Sequence, residues 1–199
     1  MSEIALFHSV LGVRKGVADA AELLTAAGHA VTVIDQYDGQ VFEDYEVASD
    51  FAEGIGYPAL MEAAVTAVSE LADGFIAIGF SNGGGMAEFV ATRRKVGGVV
   101  MIAGALGLEM LGVEAWPANT PAQIHYSVAD PFRNQEWIDS VFAAIRESGS
   151  PIEFFDYSDG GHLFTDSSLP DEYDERATRQ LWDRVIEFCA TAPGPTHAA

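Results

Sequence analysis

The sequence predicts an α/β fold: a mostly parallel sheet flanked by helices on both faces. Three observations carry this expectation. Short apolar runs of strand length alternate with longer runs of helical spacing along the whole chain. No repeat or linker divides the 199 residues, a length that suits a single domain over residues 1–199 with a substantial core. In the middle, the apolar run from Gly74 to Ile78 breaks at Gly79 and presents Ser81. It then re-enters a helical pattern through Gly83, Gly84, Gly85 and Met86.

The elements follow in order. Ile4–Phe7 is a short apolar strand ending at His8-Ser9-Val10-Leu11-Gly12, and a helix runs from about Arg14 to Ala27, stopped by Gly28. Ala30–Ile34 forms a second strand that ends at Asp35. Residues 36–56 are acidic and glycine-punctuated, which predicts a long surface loop bordering a site. Tyr57 or Pro58 opens a helix to about Leu71, with proline near its first turn. The strand before Ser81 comes next, followed by a helix to about Lys95.

Val96–Ala103 reads as a strand and residues 104–121 as a loop. Ala122–Val128 is a further strand, turning at Ala129-Asp130-Pro131. A helix covers about Asn134–Ser148, ended by Gly149, and Ile152–Tyr157 is the last strand before the loop Ser158-Asp159-Gly160-Gly161-His162. The final helix spans about Glu172–Ala190. The acidic run Asp171–Glu175 forms its solvated, dipole-favoured start, and residues 191–199 form a frayed tail.

Composition narrows the function. A formal net charge of −20 disfavours phosphate backbones and anionic membranes, so neither a nucleic-acid nor a membrane partner is expected. The N-terminus lacks the regions of a signal peptide, no run is long enough to span a bilayer, and a cytoplasmic protein is expected. The lone Cys189 excludes a disulfide framework and reads as a small buried hydrophobe among Val185, Ile186 and Phe188. No metal-ligand cluster stands out, and no cofactor is expected.

Gly79-Phe80-Ser81-Asn82-Gly83 matches G-x-S-x-G, the nucleophile-elbow pattern. A sharp strand-to-helix turn strains the serine backbone and exposes its hydroxyl, while backbone passing close by requires glycines. The same string could also be a glycine-rich turn whose serine caps a helix. Its position between strand and helix favours the elbow. Ser81, Asp130 and His162 each follow an apolar strand, so a parallel sheet gathers them at one edge. A serine hydroxyl needs a base, histidine suits that task, and a carboxylate orients the imidazole.

Rivals for these roles exist. His125 lies within a strand and reads as structural, His29 lies in a turn, and His197 in the tail. Asp35 also ends a strand and competes with Asp130. Asp156 and Asp159 sit too near His162 in sequence to approach its ring easily. The backbone N–H groups of Asn82 and Val10 are the expected oxyanion donors. Ser9, Tyr37, Phe80, Trp116 and Phe132 are candidate pocket residues, and Tyr57 with the acidic loop before it is a candidate partial lid over the site.

From Ile4 to about Phe188 the chain resembles the dienelactone hydrolase family of α/β-hydrolases. The matching marks are Phe7-His8-Ser9-Val10-Leu11-Gly12, Val33-Ile34-Asp35-Gln36-Tyr37, Gly79-Phe80-Ser81-Asn82-Gly83-Gly84, the Asp130 turn, and Gly160-Gly161-His162-Leu163-Phe164. The resemblance implies an α/β-hydrolase fold without a large lid, acting on small carboxylic esters or lactones through an acyl-Ser81 intermediate. Archetypal members carry a cysteine nucleophile where this chain has Ser81, and a glutamate where it has Ser9. An arginine that binds the substrate carboxylate is replaced in the stretch Leu163-Phe164-Thr165-Asp166, where Asp166 is expected to repel an anionic lactone. The alternatives are a non-catalytic binding protein of the same fold, and an acyltransferase or thioesterase using the same residues.

Overall fold

The computed structural model describes residues 1–192. The predicted frayed tail lies almost wholly outside the described residues; of it, Thr191 closes the last helix. Six strands form one parallel sheet: β1 Glu3–Phe7, β2 Ala30–Ile34, β3 Ile76–Phe80, β4 Gly98–Ile102, β5 Ala122–Ser127 and β6 Ile152–Tyr157. Their order across the sheet is β2-β1-β3-β4-β5-β6. β1, β3 and β4 are buried on both faces, which explains their near-continuous Ile, Val, Leu and Ala content.

The helices are α1 Lys15–Ala26, α2 Tyr45–Ile55, α3 Tyr57–Ala67, α4 Asn82–Arg93, α5 Gln135–Glu147 and α6 Glu175–Thr191. The chain steps one way from β1 to β2 and then the other way from β2 through β3 to β6. Right-handed crossovers therefore put α1 on one face and α3, α4 and α5 on the other. α6 returns over the first face, where Trp182 meets Phe80 with ring centroids 6.2 Å apart and Phe188 packs on Gly98. The reversal beside β1 and β3 creates a crevice at the carboxyl ends of the strands.

Two local expectations are corrected. Residues 36–56 are not all loop, because α2 occupies Tyr45–Ile55. The Asp44 side chain accepts the Val47 N–H and caps it, Ala48 and Ala52 are wholly buried, and Gly56 ends it at φ 94°. The dense acidic residues lie on the exposed side of a short amphipathic helix, and that density masked the period. Similarly, α6 starts at Glu175 with Asp174 as its cap, so Glu172 is not part of a solvated first turn.

Candidate active site

The site begins with backbone geometry. Ser81 sits between β3 and α4 at φ 53° and ψ −122°, a conformation that a non-glycine residue holds only when its surroundings impose it. Those surroundings are backbone. A Cβ on Gly79 would overlap the Gly83 carbonyl, one on Gly83 would overlap the Phe7 and His8 carbonyl oxygens, and one on Gly104 the Ser81 carbonyl oxygen. The elbow is thus pressed between the end of β1 and the turn after β4. Ala103 in that turn also holds a positive φ, 54°.

His162 lies in the loop after β6 and Asp130 in the turn after β5, both nearly fully buried. The Ser81 Oγ lies 2.8 Å from His162 Nε2, and Asp130 Oδ2 lies 2.8 Å from His162 Nδ1. With Nδ1 protonated toward the carboxylate, Nε2 is left to accept the serine proton. Asp130 is held by its own turn, its Oδ1 accepting the Phe132 N–H at 2.8 Å. Asp35 instead closes a turn at the far edge of the sheet, accepting the N–H groups of Tyr37 and Gly39. Asp156 pairs with Arg133, and Asp159 with Arg176.

The loop after β1 is shaped by a residue that the sequence reading noted only as part of a motif. His8 Nε2 accepts the Gln36 N–H at 3.1 Å, so Nδ1 donates to the Ser9 carbonyl at 2.6 Å. Burial lowers the His8 pKa and keeps this neutral tautomer. Ser9 Oγ accepts the Leu11 N–H, and the Ser9 carbonyl accepts the Gly12 N–H. Among the described residues, no acceptor engages the Val10 N–H. The loop lies against the elbow at Gly83, and Asn82, the other expected donor, is the first residue of α4.

A cavity of about 440 Å³ opens beside Ser81 and His162. Its apolar wall includes Met61, Met86, Leu106 and Met110, and no lysine, arginine, aspartate or glutamate lines it. Phe132 and Tyr57 also line it, with Phe132 edge-on to His162 at 4.8 Å.

Four expected pocket residues lie elsewhere. Phe80 points away because successive strand residues face opposite sides, and it meets Trp182. Trp116 is buried within its own loop, donating to the Thr120 carbonyl. Tyr37 is turned into a cluster with His8, Phe42 and Phe51. Ser9 spends its hydroxyl on its own turn.

Asp166 is a further correction. It does not line this cavity but lies buried against Arg14, with Nε to Oδ2 at 3.3 Å, and it accepts the Gly16 N–H. Arg14 also donates to the Phe42 carbonyl at 2.7 Å and pairs with Glu43. A residue expected to repel substrate is therefore a neutralised strut between the loop after His162 and the segment leading into α2.

Sequence reading missed Glu172 and Tyr45. The Glu172 carboxylate accepts the Leu163 N–H at 2.6 Å and the Tyr45 hydroxyl at 2.9 Å. The Tyr45 ring stands 5.8 Å from His162 and 5.2 Å from Phe132. Nothing local in the sequence marks this contact, because it joins residues 127 positions apart.

A parallel sheet with a serine at a strained strand–helix turn, and its partners at later strand ends, defines an α/β-hydrolase. The sequence profile of the dienelactone hydrolase family matches residues 2–192. The chain belongs to that family. Among solved structures it is similar to a dienelactone hydrolase-like promiscuous phosphotriesterase from metagenomic libraries, with TM-score 0.81, 22% identity, and 96% of this chain and 87% of that one covered. A protein designated m3DLH aligns with TM-score 0.79 and 21% identity, covering 96% and 86% of the two chains. An α/β-hydrolase from a Medee basin deep-sea metagenome aligns with TM-score 0.69 and 17% identity, covering 94% and 84%. Among curated proteins, no sequence matches this chain significantly.

Proposed function

We propose that the protein is a serine hydrolase of small, neutral carboxylic esters or lactones. The observation that carries this is the continuous chain of 2.8 Å contacts from Ser81 through His162 to Asp130. Ser81 Oγ attacks the ester carbonyl as His162 Nε2 takes its proton, and Asp130 stabilises the imidazolium. The N–H groups of Asn82 and Val10 hold the oxyanion, where one donor is worth about 10²–10³ in rate. His162 then protonates the leaving alkoxide, leaving an acyl-Ser81. Water deprotonated by the same nitrogen attacks that carbonyl and releases the acid.

Substrate charge follows from the cavity wall. A carboxylate-bearing lactone would enter without a cation to meet it, and burying an unpaired charge is costly. A small alkyl or aryl ester fills the same volume and gains apolar contact with the methionines and Leu106. Because one structural relative is named as a promiscuous phosphotriesterase, a neutral phosphotriester belongs in the substrate panel.

The test is a fluorophosphonate probe with a p-nitrophenyl ester series. Wild type is expected to label on Ser81 and to turn over short neutral esters, while Ser81→Ala does neither and keeps its fold by circular dichroism. A folded wild type that neither labels nor hydrolyses any member of the panel overturns the proposal in favour of a binding protein.

A further inference from the structure

The two residues flanking His162 donate their backbone N–H groups to the same residue. Gly161 N–H donates to the Glu172 carbonyl at 2.8 Å, and Leu163 N–H to the Glu172 carboxylate at 2.6 Å. The fit is close enough that a Cβ on Gly161 would press on the Glu172 side chain at 2.8 Å. The carboxylate has a third donor, the Tyr45 hydroxyl, 2.9 Å from Oε1 and 3.1 Å from Oε2. Tyr45 is the first residue of α2, and its ring packs edge-on to His162 and tilted against Phe132. One side chain therefore spans the loop that carries the base and the helix that borders the mouth.

We infer that Glu172 is a positioning residue for His162, and that Tyr45 latches α2 to it. This rests on the serine hydrolase reading above. The imidazole must keep two 2.8 Å contacts at once, to Ser81 and to Asp130. Asp130 restrains only one edge of the ring. The backbone from Gly160 to Leu163 sets where the ring starts. The Ser127 hydroxyl holds the Gly160 carbonyl and the Asp166 N–H the Leu163 carbonyl, while both N–H groups beside the ring, those of Gly161 and Leu163, are held by Glu172. A carboxylate is suited to this because it accepts several donors at once, and charge-assisted bonds are the shorter and stronger ones. Tyr45 stays a donor because burial and the Glu172 charge push its pKa far up. The Tyr45 bond makes the base's position depend on whether α2 is seated.

Misplacing a reacting group by about 1 Å can cost on the order of 10²-fold in rate, so the effect belongs in kcat and not in KM. The experiment compares Glu172→Ala, Glu172→Gln and Tyr45→Phe with wild type on p-nitrophenyl butyrate. Rates are normalised to sites titrated by a fluorophosphonate, so that unfolded molecules drop out. Glu172→Ala is expected to lose about 10- to 100-fold in kcat with KM within about twofold. Glu172→Gln, which keeps an acceptor for Leu163, should recover most of that loss, and Tyr45→Phe should fall between. Equal kcat per titrated site in Glu172→Ala and wild type overturns the inference and leaves the hydrolase reading standing. An inert wild type overturns the hydrolase reading instead. In that case the downfield His162 Nδ1 proton in NMR decides the positioning: its loss in Glu172→Ala supports it, and an unchanged resonance overturns it.

Discussion

Glu88 shows how much a single buried group can shape this protein. It lies on α4, fully buried, with one oxygen accepting the Leu106 N–H at 2.9 Å and the other without a partner. Burial pushes its pKa well above the ordinary 4.5, against the smaller opposing effect of the Leu106 bond. Between those two values the folded state holds a proton that the unfolded state has released, so stability falls as pH rises. Glu88→Gln cannot ionise. Its stability advantage over wild type should therefore grow by about 1.4 kcal/mol per pH unit above pH 4.5 until Glu88 itself ionises, as read by urea denaturation across pH. A gap that is constant with pH would mean that Glu88 is charged in the folded protein. The group sits behind the cavity wall, so it helps set the wall at Leu106 without touching substrate.

At the scale of elements, the elbow depends on absent side chains. β3, α4 and the turn after β4 approach so closely that a Cβ on Gly104 would overlap the Ser81 carbonyl oxygen, whereas one on Gly107 would meet Ser140 at an ordinary 3.6 Å. Gly104→Ala is therefore expected to destabilise by at least about 3 kcal/mol and to abolish probe labelling, because overpacking against backbone has no soft way out. Gly107→Ala, three residues along the same loop, should change stability by less than about 0.5 kcal/mol and label normally. Denaturant midpoints and labelling on the two variants test the contrast directly. The segment with α2 belongs to the same scale. Arg14, Tyr45 and Glu172 tie it to the loop around His162, and it borders the site as an ordered helix.

At the scale of the whole molecule, the −20 charge and the uncharged cavity act together. The field repels anions on approach, and the cavity offers them no cation on arrival. Raising salt screens only the first of these. For an ester bearing a free carboxylate, kcat/KM should rise several-fold between about 0.01 M and 0.15 M ionic strength, the range over which the screening length shortens from ~30 Å to ~8 Å. A neutral ester of the same size should stay level, and initial-rate measurements on the matched pair check this. No helix among the described residues is long and apolar enough to cross a membrane.

What the sequence determined by itself was the alternation of elements, the elbow at Ser81, and the placement of Asp130 and His162 at strand ends. These rest on local causes: hydrophobic period, glycine at crowded backbone, and turn residues. Sheet order is not local. Only the order β2-β1-β3-β4-β5-β6 decides that Asp130 on β5's turn neighbours the loop after β6, while Asp35 belongs to the opposite edge. Side-chain direction was equally out of reach, so Phe80, Trp116, Tyr37 and Ser9 lie outside the cavity. The acidic residues show the same division. Glu43, Asp44 and Glu172 read in the sequence as solvated surface and Asp166 as a residue facing substrate, yet the fold makes them the carboxylate of a surface pair, a helix cap, an anchor beside His162 and a buried ion-pair partner. A charge costs little in water and much when buried, so its role is set by which distant donors the tertiary structure brings to it.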